Sequence, residues 1–237
     1  MARYGLARHV FVCRDEEYIV VLDLKRDRYF ALEAAKTAAL SPVLPGWPAP
    51  LPEQAPTQQE IEQAAAPLLR QGWLLEGSAG KEATPARVPA ALADLTGAED
   101  AARAKVGVRT VVAFVAASIF AKFALRFFRF ERVIRRVAAR NAKRANRTTP
   151  QPSDSERVRQ LVDAFVRMRV FLFTAREECL HDSLAVLEFL ARHEIFPSWV
   201  FAVRARPFAA HCWVQYEDVV CNDSVEHVSS YVPIMMV

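Results

Sequence analysis

Glu178-Cys179-Leu180-His181-Asp182-Ser183-Leu184-Ala185-Val186-Leu187, followed by Val203-Arg204-Ala205-Arg206-Pro207-Phe208-Ala209-Ala210-His211-Cys212-Trp213-Val214, is the stretch on which the fold turns. Its first half reads as a helix that opens at Glu177 and runs to about His193. Leu180, Leu184 and Leu187 recur at helical spacing, with Ser183, Val186 and Leu190 alongside. Cys179 lies in line with that second row, so its thiol stands at the head of the helix and faces the edge of the core. A helix N-terminus favours a thiolate through its dipole and free amides. The Cys179 amide is also placed to donate to a developing oxyanion.

Residues 199–204 then read as a strand, and residues 211–216 and 219–223 as a hairpin turning near Glu217-Asp218. His211 begins one arm and Asp223 ends the other. Cysteine, histidine and aspartate supply a nucleophile, a base and a group that orients the base. Register constrains the third member. A two-residue turn would pair Asp223 with Cys212 and turn it away from His211. A three-residue connection or a bulge would pair it with Trp213, diagonal to His211 on the same face. The odd connection is expected.

The other cysteines, Cys13, Cys212 and Cys221, read as core filler. The four cysteines form no CxxC pair and no secretory signal precedes them, which suits a reduced, cytoplasmic setting. Zinc held by Cys179, His211, Cys212 and Cys221 is disfavoured, because neighbours on a strand project to opposite faces; no metal is expected. His9, His181, His193 and His227 show no partner pattern and read as surface or packing residues.

The first 77 residues read as a small α+β module. Residues 9–14, 18–24 and 28–32 are β-branched or aromatic runs separated by polar turns. A helix is expected over 33–40, ending before Pro42. Thr57-Gln58-Gln59-Glu60 is a capping box, opening a helix that buries Ile61, Ala65 and Leu68 and stops at Gly72. With a closing Trp73-Leu74-Leu75 strand, the order is that of a winged helix. Residues 78–100, rich in Gly, Ala, Pro and Ser at their start, read as a linker. Residues 101–145 are helical in character, and a second capping box at Ser153-Asp154-Ser155-Glu156 starts a helix running to about Phe173.

The net charge of +4 is unevenly spread: residues 1–80 carry −2, residues 81–150 carry +10 and residues 151–237 carry −4. One basic segment in the middle argues against a nucleic-acid binder. Within it, Arg132, Arg135, Arg136, Arg140, Lys143, Arg144 and Arg147 read as a solvated helix end. The alternatives are a docking face for an acidic partner or lipid headgroups and, behind these, a nucleic-acid contact. The apolar run 110–121 is 12 residues long. A membrane span needs about 20, so a buried core helix is expected, with peripheral membrane contact left open.

The stretch quoted first, with Asn222-Asp223 and the closing Tyr231-Val232-Pro233-Ile234, resembles the transglutaminase-like leader peptidases of lasso-peptide biosynthesis, the B proteins. The gaps of 32 residues from Cys179 to His211 and 12 from His211 to Asp223 match that family's pattern. The specific likeness covers about 60 residues, and the helix–strand–strand order is that of a papain-like/transglutaminase-like core. More loosely, the N-terminal module is similar to the winged-helix element that binds the leader of the precursor.

The resemblance implies an α+β chain with three parts: residues 1–77 recognising the precursor, a linker at 78–100, and a cysteine peptidase domain at 101–237. It implies Cys179, His211 and Asp223 as catalytic residues. It also implies that the leader adds as a strand beside Arg28, Tyr29, Phe30, Ala31 and Leu32 and packs on the helix beginning at Gln58. The exposed polar positions of that helix, Gln58, Gln59, Glu60, Glu62 and Gln63, are neutral or acidic, which opposes DNA binding. The implied partners are the precursor peptide and an ATP-dependent, asparagine-synthetase-like cyclase. No Walker-type Gly-rich loop occurs, so any ATP requirement belongs to that cyclase and no cofactor is expected on this chain. Two other activities remain open: acyl transfer from Cys179 to an amine, and precursor binding without catalysis.

Overall fold

The computed structural model describes residues 4–95, 106–145, 152–169 and 179–237. The chain divides into two compact units. The first comprises residues 1–87 with 202–210 and 232–235; the second comprises residues 88–201 with 211–231 and 236–237.

The first unit begins with β1 (Tyr4–Leu6), β2 (Val10–Asp15), β3 (Tyr18–Asp23) and β4 (Arg28–Glu33). A 3-10 helix (Ala35–Leu40), α1 (Gln58–Arg70) and β5 (Leu74–Glu76) follow. The order β2-β3-β4 makes an antiparallel sheet, and β1 pairs with β5. Val10, Val12, Ile19 and Val21 form one apolar face with Leu40, Ile61, Ala65, Leu68 and Trp73. Cys13, Val20 and Leu22, of opposite parity, are buried too; β3 is therefore apolar on both faces.

The helix expected over 33–40 is a 3-10 helix, and its buried residues, Thr37 and Leu40, sit at its three-residue repeat. At α1 the capping box forms as read. Thr57 Oγ1 accepts from the Glu60 amide at 3.3 Å, and Glu60 Oε2 accepts from the Thr57 amide at 2.7 Å. Gly72, at φ +69°, ends the helix in the left-handed conformation that glycine tolerates best. His9, read as partnerless, has Nε2 3.7 Å from the buried carboxylate of Asp23. That carboxylate also accepts from Trp73 Nε1 at 3.0 Å and from Arg26 at 2.7 Å.

The stretch read as a linker is held at Lys81 and again at residues 93–94. Lys81 exchanges backbone hydrogen bonds of 2.7 and 2.8 Å with Leu6. Further on, β6 (Ala93–Asp94) joins a five-stranded sheet. Composition marks turn-rich chain, but not where such chain pairs with a strand distant in sequence.

The second unit continues with α2 (Val108–Phe127), α3 (Phe130–Ala145), α4 (Pro152–Arg169) and α5 (Cys179–Arg192). α4 is described from Pro152, and the capping expected of Ser153 lies outside the described side chains. The expected continuation to Phe173, with Glu177 and Glu178, falls outside the described residues. The chain then runs through β7 (Ser198–Arg204), β8 (Ala209–Tyr216), β9 (Val219–Val220), the short α6 (Val225–Val228) and β10 (Val232–Met236), of which residues 202–210 and 232–235 are counted with the first unit. The sheet order is β10-β7-β8-β9-β6, with β6 parallel to β9.

α5 is the helix around which this unit is built: Ser183 through Leu190 are all buried, and α2 and α4 pack on it. Glu188 is among these residues; Arg192 of its own helix lies 3.6 Å from Oε2, and a closer partner comes from the basic run. Arg140 Nη1 lies 2.6 Å from Glu188 Oε1, and Asn141 donates to the Pro197 carbonyl at 3.2 Å. Thus the reading of residues 132–147 as a solvated end is corrected at Arg140, whose guanidinium answers a buried carboxylate. Arg147 lies outside the described residues. Removing one partner of such a pair strands the other, so Glu188→Ala is expected to lower stability by about 3 kcal/mol, measured by urea unfolding.

Candidate active site

Cys179 is the first described residue of α5, and Ser183, one turn on, donates to its carbonyl at 2.6 Å. Ser183 Oγ in turn accepts from Trp199 Nε1 at 2.9 Å and lies 3.3 Å from Cys212 Sγ. The start of α5 is thereby tied to β7 and β8. On its other side Asp182 accepts from Arg169 at 2.9 Å and from Asn222 Nδ2 at 3.1 Å. Asn222 Oδ1 also accepts from the Val214 amide at 2.8 Å. One asparagine side chain links the loop after β9, the strand β8 and the first turn of α5.

The structure brings Cys179, His211 and Asp223 together. His211 Nε2 is hydrogen-bonded to Asp223 Oδ2. The imidazole is also hydrogen-bonded to the Cys179 sulfur, which leaves Nδ1 for the thiol side. The register expectation is corrected in its reason. Tyr216 pairs with Val219 and Gln215 with Val220, so Glu217-Asp218 is a two-residue turn. Continued as a ladder, that register would have turned Asp223 away from His211. Instead β9 stops at Val220, and the backbone bends through 221–223. The Asn222 side chain, not its backbone, satisfies Val214. Alternation no longer governs Asp223 once the chain has left the sheet.

The loop bearing Asp223 is held from several directions. Asp223 Oδ1 accepts from the Ser224 amide at 2.8 Å, and Asp94 of β6 accepts from the Val225 amide at 3.0 Å. Gln215 accepts from Trp213 Nε1 at 3.0 Å and donates to the carbonyls of Pro89 and Glu217 at 2.8 Å each. These contacts fix the orienting carboxylate before any substrate arrives.

Two residues set aside in the sequence belong to this site. Cys212, read as inert filler, hydrogen-bonds to the Cys179 sulfur. Burial, with the neighbouring Cys179 sulfur, pushes the Cys212 thiol well above its ordinary range. It stays a neutral S–H that can donate to a thiolate. His227, read as a surface residue, has Nδ1 2.9 and 3.1 Å from the two Asp223 oxygens. Tyr231 lies against both imidazoles, with ring centroids 5.2 Å from His211 and 5.4 Å from His227. The available signal was the i, i+4 spacing of Asp223 and His227 across a serine N-cap at Ser224.

Electrostatics follow from these contacts. Hydrogen bonds from Cys212 and His211, with the imidazolium charge, bring the Cys179 thiol down to about 4 against the opposing effect of burial. Burial works against the charged form of His211. Asp223 and Cys179 overcome it, and its value rises to about 9. Burial likewise opposes the Asp223 carboxylate, but hydrogen bonds from His211, His227 and Ser224 hold it below the usual range. At neutral pH the resting pair is therefore thiolate and imidazolium. Cys13 and Cys221 are pushed up to about 12, chiefly by burial.

His211, Asp223 and His227 place three ligand-type atoms within 4.8 Å of one another, a different set from the zinc ligands weighed in the sequence. Both Asp223 oxygens are engaged by the two rings, so the group already has an internal use. Losing one hydrogen bond to a charged acceptor costs about 1.5–3 kcal/mol. If this one is felt at the transition state, His227→Ala lowers turnover of an acyl substrate by about ten- to a hundredfold, read by steady-state kinetics.

The arrangement can attack a carbonyl, hold the acyl group as a thioester and protonate a departing amine. Residues 117–236, just over half of the 237-residue chain, match the family model described as Transglutaminase-like superfamily. No curated protein and no solved structure matches the chain.

Proposed function

Because the chain belongs to the transglutaminase-like superfamily, we propose that it is a cysteine peptidase removing the leader from a ribosomally made lasso-peptide precursor. The observation that carries this reading is the hydrogen-bonded run Cys179–His211–Asp223 with its thiolate and imidazolium charges. The Cys179 thiolate attacks the carbonyl at the leader–core junction, and the His211 imidazolium donates its proton to the leaving amine. Neutral His211 then takes a proton from water, which attacks the thioester and releases the leader as a free acid. The proton is on His211 before attack, so His211 acts first as an acid and then as a base.

The freed core amine is the substrate that an ATP-dependent, asparagine-synthetase-like cyclase would join to an acidic side chain. The nucleotide requirement is assigned to that partner, and the whole sequence of steps to the cytoplasm. The precursor encoded in a neighbouring short reading frame is the test substrate. Mass spectrometry of its products distinguishes the readings. Free leader acid supports hydrolysis, and a leader–amine conjugate supports acyl transfer from the same thioester. A precursor left intact by unmodified enzyme, whose Cys179 a parallel sample shows to be reactive towards iodoacetamide, overturns both.

The N-terminal module, on this reading, is a winged-helix recognition element whose β4 receives the leader as an added strand. Its support is that β4 has β3 on one side and no strand on the other among the described sheets. Asp15 and Tyr18 close a two-residue hairpin, so alternation along the register directs the amides of Arg28, Phe30 and Leu32 to β3. The amides of Tyr29, Ala31 and Glu33 then face outward. Ala31→Pro removes an outward donor without touching the ladder and is expected to weaken leader binding by about three- to tenfold, read by fluorescence anisotropy of a labelled leader.

A further inference from the structure

We propose that the outer face of α2 docks this protein onto a membrane surface that carries anionic lipid. The inner row of the helix, Phe114, Ala117, Ala121 and Ala124 among it, is buried in the second unit. The opposite row runs Val108, Val112, Val115, Ile119, Phe123 and Phe127, at intervals of three or four residues, and faces solvent. Val112 is 61% exposed, Ile119 64% and Phe127 65%. Of the fourteen exposed large hydrophobic side chains among the described residues, nine fall within residues 106–128. Apolar residues scattered singly over a surface need no explanation, but a continuous helical stripe of them marks a binding face.

Charge selects the occupant. Residues 106–130 contain four basic residues, Arg109, Lys122, Arg126 and Arg129, and no acidic one. Lys122 and Arg126 lie on the outer row itself at helical spacing. Beside them the Phe123 ring sits 4.6 Å from Phe127 and 5.8 Å from Phe128. Aromatic rings at headgroup depth, with cations reaching lipid phosphates, are the composition of an interfacial helix. A second copy of this chain would bring the same cations against the face with no acid to answer them. A span is disfavoured because packing on α4 and α5 holds the inner row in the protein, although α2 is long and apolar enough to cross. The helix lies on the membrane.

Full-length protein is sedimented with phosphatidylcholine vesicles, with and without phosphatidylglycerol. Binding is expected only where phosphatidylglycerol is present, and it weakens as salt rises. Each cation near such a surface contributes roughly a fivefold gain, so Lys122→Glu with Arg126→Glu is expected to cut binding at least about thirtyfold. Phe123→Ser with Phe127→Ser is expected to cut it more than about tenfold by removing the inserted rings. Circular dichroism confirms folding, and if the phenylalanine pair unfolds, the charge pair decides. Absence of binding overturns the proposal, as do equal binding to neutral vesicles, unchanged binding of a folded variant, and a wild-type dimer that these substitutions dissociate.

Discussion

Cys179→Ala is expected to abolish cleavage, with turnover falling by at least about 10⁴-fold while precursor affinity stays within a fewfold of wild type. Cys179 supplies the only sulfur that the surroundings ionise. Cys13 and Cys221 are held up at about 12 and Cys212 stays protonated, so none of the three can replace it. The same difference gives a direct readout that needs no substrate. At pH 6 iodoacetamide should modify one thiol in the folded wild-type protein and none in Cys179→Ala, as counted by intact mass. Retained binding with lost cleavage would set aside the non-catalytic scaffold. A Cys179→Ala protein that still cleaves would overturn the peptidase reading.

The second large effect concerns the charge on His211. The reactive pair needs Cys179 deprotonated and His211 protonated. The first condition is met as pH rises through about 4 and lost below it. The second holds at lower pH and is lost as pH rises through about 9. kcat/KM should therefore follow a bell with limbs near those two values, each belonging to the pair rather than to one residue. His211→Ala should lower turnover by about 10³-fold or more. It should also move the pH dependence of Cys179 alkylation upward, since one donor and one positive charge leave the sulfur. An unchanged alkylation profile in His211→Ala would show that the imidazole does not ionise the thiol.

Some of the site was legible because its residue types are scarce and its spacing is telling. One cysteine at the head of an apolar helix, one histidine opening a strand and one aspartate past a turn were enough to select Cys179, His211 and Asp223. The turn itself was misread for a physical reason. A two-residue hairpin turn wants left-handed backbone, usually flagged by Asn or Gly. Here Glu217 adopts it, at φ +54°, and carries no such flag. Parity then suggested the wrong loop length for the right contact. Cys212 was missed because a buried thiol looks the same in sequence whether it fills space or donates to a neighbour. His227 was missed because its use depends on where α6 sets it against Asp223.

Local chemistry alone determined the strands around residues 9–14, 18–24 and 28–32, the capped helix from Gln58 and the apolar row of α5. In each of these, alternation, capping and helical spacing act between residues close in the chain. Tertiary structure decided that β9 stops at Val220 and frees Asp223 to reach His211. It also decided that Arg140 answers Glu188 across 48 residues and that β6 joins a sheet from inside an expected linker. It decided, too, which face of α2 the rest of the fold leaves uncovered. Those outcomes rest on burial and hydrogen-bond partners brought from far along the chain, and no local periodicity encodes them.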